Sequence, residues 1–279
     1  MTKVALISTL LLVGFIAKAQ EIQGKAEYFS KSIIKTDLTK IKLGDKDSPD
    51  PELDKMLKDA LKSASEKQYV LTFNKTECLY EEEQKLNKPS GSSGGMSIMV
   101  KLATAGKKYI SVKDKKSIIE DEIFGKEFLI EEPLEKPEWK LINETKKIGD
   151  YTCYKAELVI PVSDKLKAEY EDFLKNEEKK PALFKMEKPE DLLVTAWYTP
   201  EVPVSFGPDN YWGLPGLILE VNDGLSVILC SKVVVNSKEK LKIKQPSTGE
   251  KISQKKFDKI KKEKYDSMKN DDGVIILRQ

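Results

Sequence analysis

Gly213-Leu214-Pro215-Gly216-Leu217-Ile218 is a Pro-Gly turn running straight into the apolar stretch Leu217-Ile218-Leu219-Glu220-Val221. Pro215 sets φ at about −65°, and Gly216 stands where a type II turn requires a positive φ. Just beyond, Asn222-Asp223-Gly224 separates this stretch from a second β-branched-rich run, Leu225–Val235. Two apolar runs around a turn-forming triplet predict a β-hairpin. This end of the chain is therefore built on antiparallel strands.

The remaining periodicity is mixed. Alternation predicts strands over Gln23–Ile34, from Gln68 through Phe73, around Cys78 and Tyr80, and over 97–102, 108–112, 127–130, 139–143, 151–160 and 192–198. Leu53, Met56, Leu57, Ala60, Leu61 and Ala64 fall at three- and four-residue spacing after Pro51, which predicts an amphipathic helix. A charged helical insertion with a thin apolar stripe is expected near 163–190, and a last helix from Ser253 to Met268. Lys88–Gly95 reads as a polar Ser/Gly loop. With no linker between two composition regimes, residues 20–279 are expected to form one domain. Its fold class is α+β: a curved, mainly antiparallel, half-barrel-like sheet of eight or more strands with helices packed on one face.

Met1-Thr2-Lys3, the apolar run Val4–Ile16 and Ala17-Lys18-Ala19 have the layout of a secretory signal peptide cleaved near Ala19. The apolar run is too short for a bilayer, which needs about 20 residues. The expected destination is the periplasm, the outer membrane or the exterior, with no transmembrane anchor in the mature chain. The 48 basic residues exceed the 46 acidic ones only through Lys3 and Lys18, so the exported chain is neutral. Arg278 is the sole arginine. A neutral chain without arginine forks lacks the electrostatic footprint for nucleic acid. Cys78, Cys153 and Cys230 allow one bridge in any of three pairings, or three buried thiols.

Three blocks carry a family resemblance. They are Trp139-Lys140-Leu141 through Lys147–Ala156, Thr195–Pro203, and Gly207-Pro208 with Gly213–Glu220. Together they resemble the GLPGLI family of secreted envelope proteins. The resemblance implies an exported protein without an established biochemical activity. It supplies no catalytic residues.

Chemistry is narrowed by what is missing. The chain has no histidine, which removes Ser-His-Asp and Cys-His relays and imidazole metal ligation. Gly91–Gly95 matches a nucleophile-elbow spacing without its strand-to-helix setting. Glu81–Glu83, Glu120–Glu122 and Asp271-Asp272 read as solvated acidic surface, and no cofactor is implied. The expected function is non-enzymatic binding of an apolar ligand or an envelope protein partner. The expected site is rimmed by Trp197, Tyr198, Pro208, Tyr211, Trp212, Gly213, Leu214, Pro215 and Gly216. As strand neighbours, Trp197 and Tyr198 must point to opposite faces. The alternatives are a hydrolase working through Asp150, Glu201 or Asp209, and an assembly factor docking by a strand edge.

Overall fold

Strand β1 (Gln23–Ser32) joins two antiparallel halves of one sheet, pairing with β2 (Glu66–Asn74) on one side and β11 (Ser226–Val235) on the other. The computed structural model describes residues 22–32, 65–83, 106–177, 188–237 and 241–267. The leader, the helix expected over 53–64, the 88–95 loop, the strand expected over 97–102, the centre of the 163–190 insertion and Asp271-Asp272 lie outside the described residues.

Beyond β2 the first half continues through β3 (Glu77–Glu82), β4 (Lys107–Ser111), β5 (Lys116–Ile123) and β6 (Lys126–Pro133). The second half runs inward from an outer strand, β7 (Lys140–Ile148), through β8 (Tyr151–Ile160), β9 (Leu192–Thr199) and β10 (Leu217–Asn222) to β11. A short β12 (Glu250–Ile252) adds to β6 in parallel, the one parallel pairing among the described residues, which form a twelve-stranded open sheet. Helix α1 (Asp164–Glu177) follows β8, and α2 (Gln254–Asp266) follows β12. The architecture is the α+β class that the sequence implies, with a wider sheet.

Strand parity sorts the side chains. Ala26 and Tyr28 of β1, Tyr69, Leu71 and Phe73 of β2, and Cys78 and Tyr80 of β3 form one buried cluster with Ile110, Cys153, Leu217, Leu219, Ile228 and Cys230. Neighbouring strands are spaced about 4.8 Å apart, so in a flat sheet β3 and β8 could not share a core. Their shared cluster requires the sheet to curl around a common interior. That interior is filled by Val202, Val204, Phe206 and Trp212 from the β9–β10 connection. A second cluster on the opposite face of β8–β10 holds Ala156, Val194, Ala196, Tyr198, Leu214, Ile218 and Val221. A bulge between Ile218 and Glu220 lets β10 serve both: Leu219 stays in the main core while Glu220 comes opposite Trp197.

Helix α2 closes the far end of the sheet. Its Phe257 meets Phe128 edge-on at 5.5 Å, beside Ile130 and Ile252. Ser253 caps it by accepting from Lys256 N, and Glu132 Oε1 takes the neighbouring Gln254 N at 2.6 Å. Helix α1 is capped by Ser163 and keeps Leu166 and Leu174 exposed, in keeping with its thin apolar stripe.

Two local expectations change. Glu120–Glu122, read as solvated acidic surface, lie within strand β5, with Glu120 and Asp121 half-buried and Glu122 exposed. Their roles are structural: Glu120 pairs with Lys107 at 3.2 Å, and Glu122 Oε1 accepts Gly125 N at 2.9 Å. The positive φ of the Pro-Gly segment falls on Gly213, at +95°, and not on Gly216. Gly216 is required for a different reason, since a Cβ there would lie 2.2 Å from the Thr199 carbonyl oxygen.

All three cysteines are free and buried in the main core. Burial pushes the Cys153 thiol up to about 11 and the Cys230 thiol up to about 12, from an ordinary value of 9.0. Burial also lifts Tyr69 from 10.0 to about 12. Between the ordinary and raised values the folded chain holds more protons than the unfolded one. The stability these groups contribute is whole below pH 9 and drains away as pH rises toward 12. The thermal midpoint should therefore fall as pH is raised above 9. At pH 8 the native protein should resist iodoacetamide at all three thiols, each reacting once denaturant is added. Rapid native-state alkylation of Cys153 or Cys230 would contradict this packing.

Candidate functional site

The residues singled out from the sequence converge on the β9–β10 connection, residues 200–216, which folds back on itself. Gly213 N donates to Ser205 O at 2.8 Å, Leu217 N to Val202 O at 3.0 Å and Ile218 N to Phe206 O at 3.0 Å. These bonds satisfy backbone groups that would otherwise be stranded away from water. Phe206 and Trp212 form an isolated antiparallel bridge across the loop.

The aromatic residues divide between the two faces. Trp197 is half-buried against the main core, with Lys146 Nζ 4.4 Å from its ring centroid. The same ammonium pairs with Glu220 at 2.7 Å. Trp212 is buried in that core, and its carbonyl accepts Trp139 Nε1 at 2.8 Å. On the other face Tyr198, Leu214, Tyr211 and Trp139 pack together. Tyr211 donates its hydroxyl to Asp223 Oδ2 at 3.2 Å in the β10–β11 turn, and its backbone N donates to Pro208 O at 3.1 Å. Burial and the Asp223 charge raise the Tyr211 phenol far above its usual range.

Within the six-residue turn, Pro215 is exposed while Leu214, Gly216, Leu217 and Ile218 are buried. Gly213 lies under the β6–β7 connection, where an added Cβ would be 3.3 Å from Pro137 Cδ. Tyr198, Tyr211 and Leu214 are thus brought together, but Trp197 and Trp212 lie across the sheet from them. The segment acts as a wedge gripped between two cores.

The three candidate carboxylates are also spread out. Asp150 sits in the exposed β7–β8 turn. Glu201 Oε1 accepts Thr152 N at 2.8 Å. Asp209, itself at a φ of +57°, is ion-paired with Lys108.

That last contact exposes a polar group that sequence reasoning missed. On the inward face of β2–β4, Lys67 pairs with Glu82 at 3.1 Å, and Tyr69 stacks on Tyr80 with centroids 4.7 Å apart. Tyr80 stands directly opposite Lys108. The Lys67 and Lys108 side chains are only 13% and 14% exposed. Burial pulls Lys108 from 10.5 down to about 8, the Asp121 charge opposing. The Asp209 ion pair also favours the ammonium, so Lys108 is charged at neutral pH. A signal was available in the sequence: Lys67 and Lys108 share inward parity with Tyr69 and Ile110. Among the described residues, no group of three or more Cys, Asp or Glu side chains is placed to hold a metal ion.

Against known proteins, the second half of the sheet is the recognisable part. Residues 139–220 match a family described as a protein of unknown function (Porph_ging). No curated protein matches the chain. Among solved structures, PNGF-II in space group C2 aligns with a TM-score of 0.46 at 14% identity, over 86% of this chain and 32% of that one. Its P21 form gives 0.45 and 14%, over 86% and 33%. The chain spans about a third of the length of those structures.

The two glycine-turn positions make a direct test. Gly216→Ala should cost at least about 1–3 kcal/mol, because a methyl would meet backbone that cannot yield. Pro215→Ala, at an exposed position, should cost less than about 1 kcal/mol. Comparable losses of melting temperature in the two variants would contradict the close approach to Thr199.

Proposed function

We propose that this is an exported, non-enzymatic cell-envelope protein of the GLPGLI family that works by holding a partner protein. The docking element in this reading is the outer edge of β7. The observation that carries it is the asymmetry of the two sheet edges. At one end, β12 has three residues and is backed by α2, a usual way of blunting an edge. At the other end, β7 has nine residues and, among the described residues, no partner along its outer side.

The surroundings of β7 indicate what would bind. Leu141 is 59% exposed, and Tyr154 on β8, 41% exposed, lies diagonal to it on the same face. Lys140 and Lys147 are exposed along the strand. The bulge between Ile142 and Thr145 divides the strand into two regularly paired segments, Lys140–Ile142 and Thr145–Ile148. An extended chain with apolar and acidic side chains suits that edge, with backbone bonds supplying affinity and side chains specificity. An apolar small molecule is a weaker reading, because the curl of the sheet is filled by Val202, Val204, Phe206 and Trp212.

A photo-crosslinking residue at Lys140 or Lys147, in cells that export the protein, should give a discrete adduct. Leu141→Asp should abolish it, and a probe in the β4–β5 turn at Lys113 should give none. The reconstituted pair should show slowed amide exchange over 140–148. The recovered protein should begin at Gln20. Adducts equal at Lys113 and Lys140, or none at β7, would contradict edge docking. An N-terminus at Met1 would contradict export with cleavage.

A further inference from the structure

Tyr80 is 3% exposed, and among the described residues its hydroxyl is the one buried side-chain polar atom with no hydrogen-bond partner. An orphaned buried hydroxyl is destabilising, and phenylalanine would fill the same space without that cost. Its neighbours are polar. Glu82 lies two residues along the same face of β3, Lys108 is opposite on β4, and Tyr69 covers the ring. Burial first, and then the Tyr69 and Glu82 charges, push the Tyr80 phenol far above its usual range.

The Tyr80 hydroxyl is left out of the hydrogen bonds made around it. Tyr80 offers one O–H, and an ammonium such as Lys108 offers three N–H donors. Glu82 is engaged by Lys67 at 3.1 Å, and Asp209 by Lys108. Each carboxylate is engaged through one oxygen only, and none is placed to accept from the Tyr80 hydroxyl. Asp209 reaches Lys108 from the β9–β10 loop, so the chain itself already sets one carboxylate on this lysine.

We propose that Tyr80 and Lys108 form a binding site for a small oxyanion, a carboxylate or a phosphate, for which Asp209 acts as an internal competitor. The oxyanion would accept from the Tyr80 hydroxyl and from Lys108, displacing or sharing with the Asp209 carboxylate. The site stands on the inward face of β3 and β4 and is independent of the β7 edge. Removing Asp209 should open it; removing Tyr80 or Lys108 should close it.

The test is titration of the purified protein with sodium phosphate and, separately, sodium acetate, each against sodium chloride at matched ionic strength. Binding is read by calorimetry and by the shift in melting temperature. One anion should stabilise the protein saturably beyond chloride, and which one does so separates phosphate from carboxylate. Asp209→Asn should tighten binding severalfold. Tyr80→Phe should weaken it about tenfold while leaving the anion-free melting temperature unchanged or higher. Lys108→Met should abolish it. The absence of saturable binding in both the wild type and Asp209→Asn would overturn the proposal, as would unchanged affinity in Tyr80→Phe.

Discussion

Among the described residues, neither helix contributes to the main core of this wide, curled sheet, and the β9–β10 connection packs into it instead. Val202, Val204, Phe206 and Trp212 enter the interior from residues 200–216 and touch side chains from both halves of the sheet. Loops usually stay at the surface because buried backbone must find partners. This one finds them within itself and on β10, through Gly213 N, Leu217 N and Ile218 N. Pro200, Pro203 and Pro208 contribute by having no N–H to satisfy.

The same wedge organises the second face. Leu214 and Tyr211 leave the main core and pack with Tyr198 and Trp139, while Trp212 between them points back. Trp139 Nε1 then ties the β6–β7 connection to the wedge through the Trp212 carbonyl. Tyr28 adds a second tie from the centre of the sheet, donating its hydroxyl to Ile218 O at 2.7 Å. Tyr198, Trp212 and Leu214, expected at a binding rim, are buried in packing the two faces, while Pro215 stays exposed. The outer edge of β7 and the polar group around Tyr80 and Lys108 on the inward face remain for recognition.

Legibility followed periodicity. The β10–β11 hairpin was readable because its apolar runs flank Asn222-Asp223-Gly224, and the structure has Asp223 Oδ1 accepting Leu225 N and Ser226 N there. The opposite faces of Trp197 and Tyr198 followed from strand geometry alone. Strand β5 was hidden because Glu120, Asp121 and Glu122 mask its alternation, with Lys107 compensating only from the neighbouring strand. The role of Gly216 was hidden because close approach to Thr199 is a tertiary fact that turn chemistry does not encode. The Lys108–Asp209 contact joins residues about a hundred positions apart and lies beyond local reading.

The central claim is that the 200–216 wedge is part of the core, and native-state amide hydrogen exchange tests it most directly. If the wedge holds the sheet's curl, the amides of Gly213, Leu217 and Ile218 will exchange only through global unfolding. Their opening free energy will then match that of Ala26 and Leu71 at the centre of the sheet. If those wedge amides exchange through local opening, orders of magnitude faster than Ala26 and Leu71, the loop is a surface feature and the account is wrong.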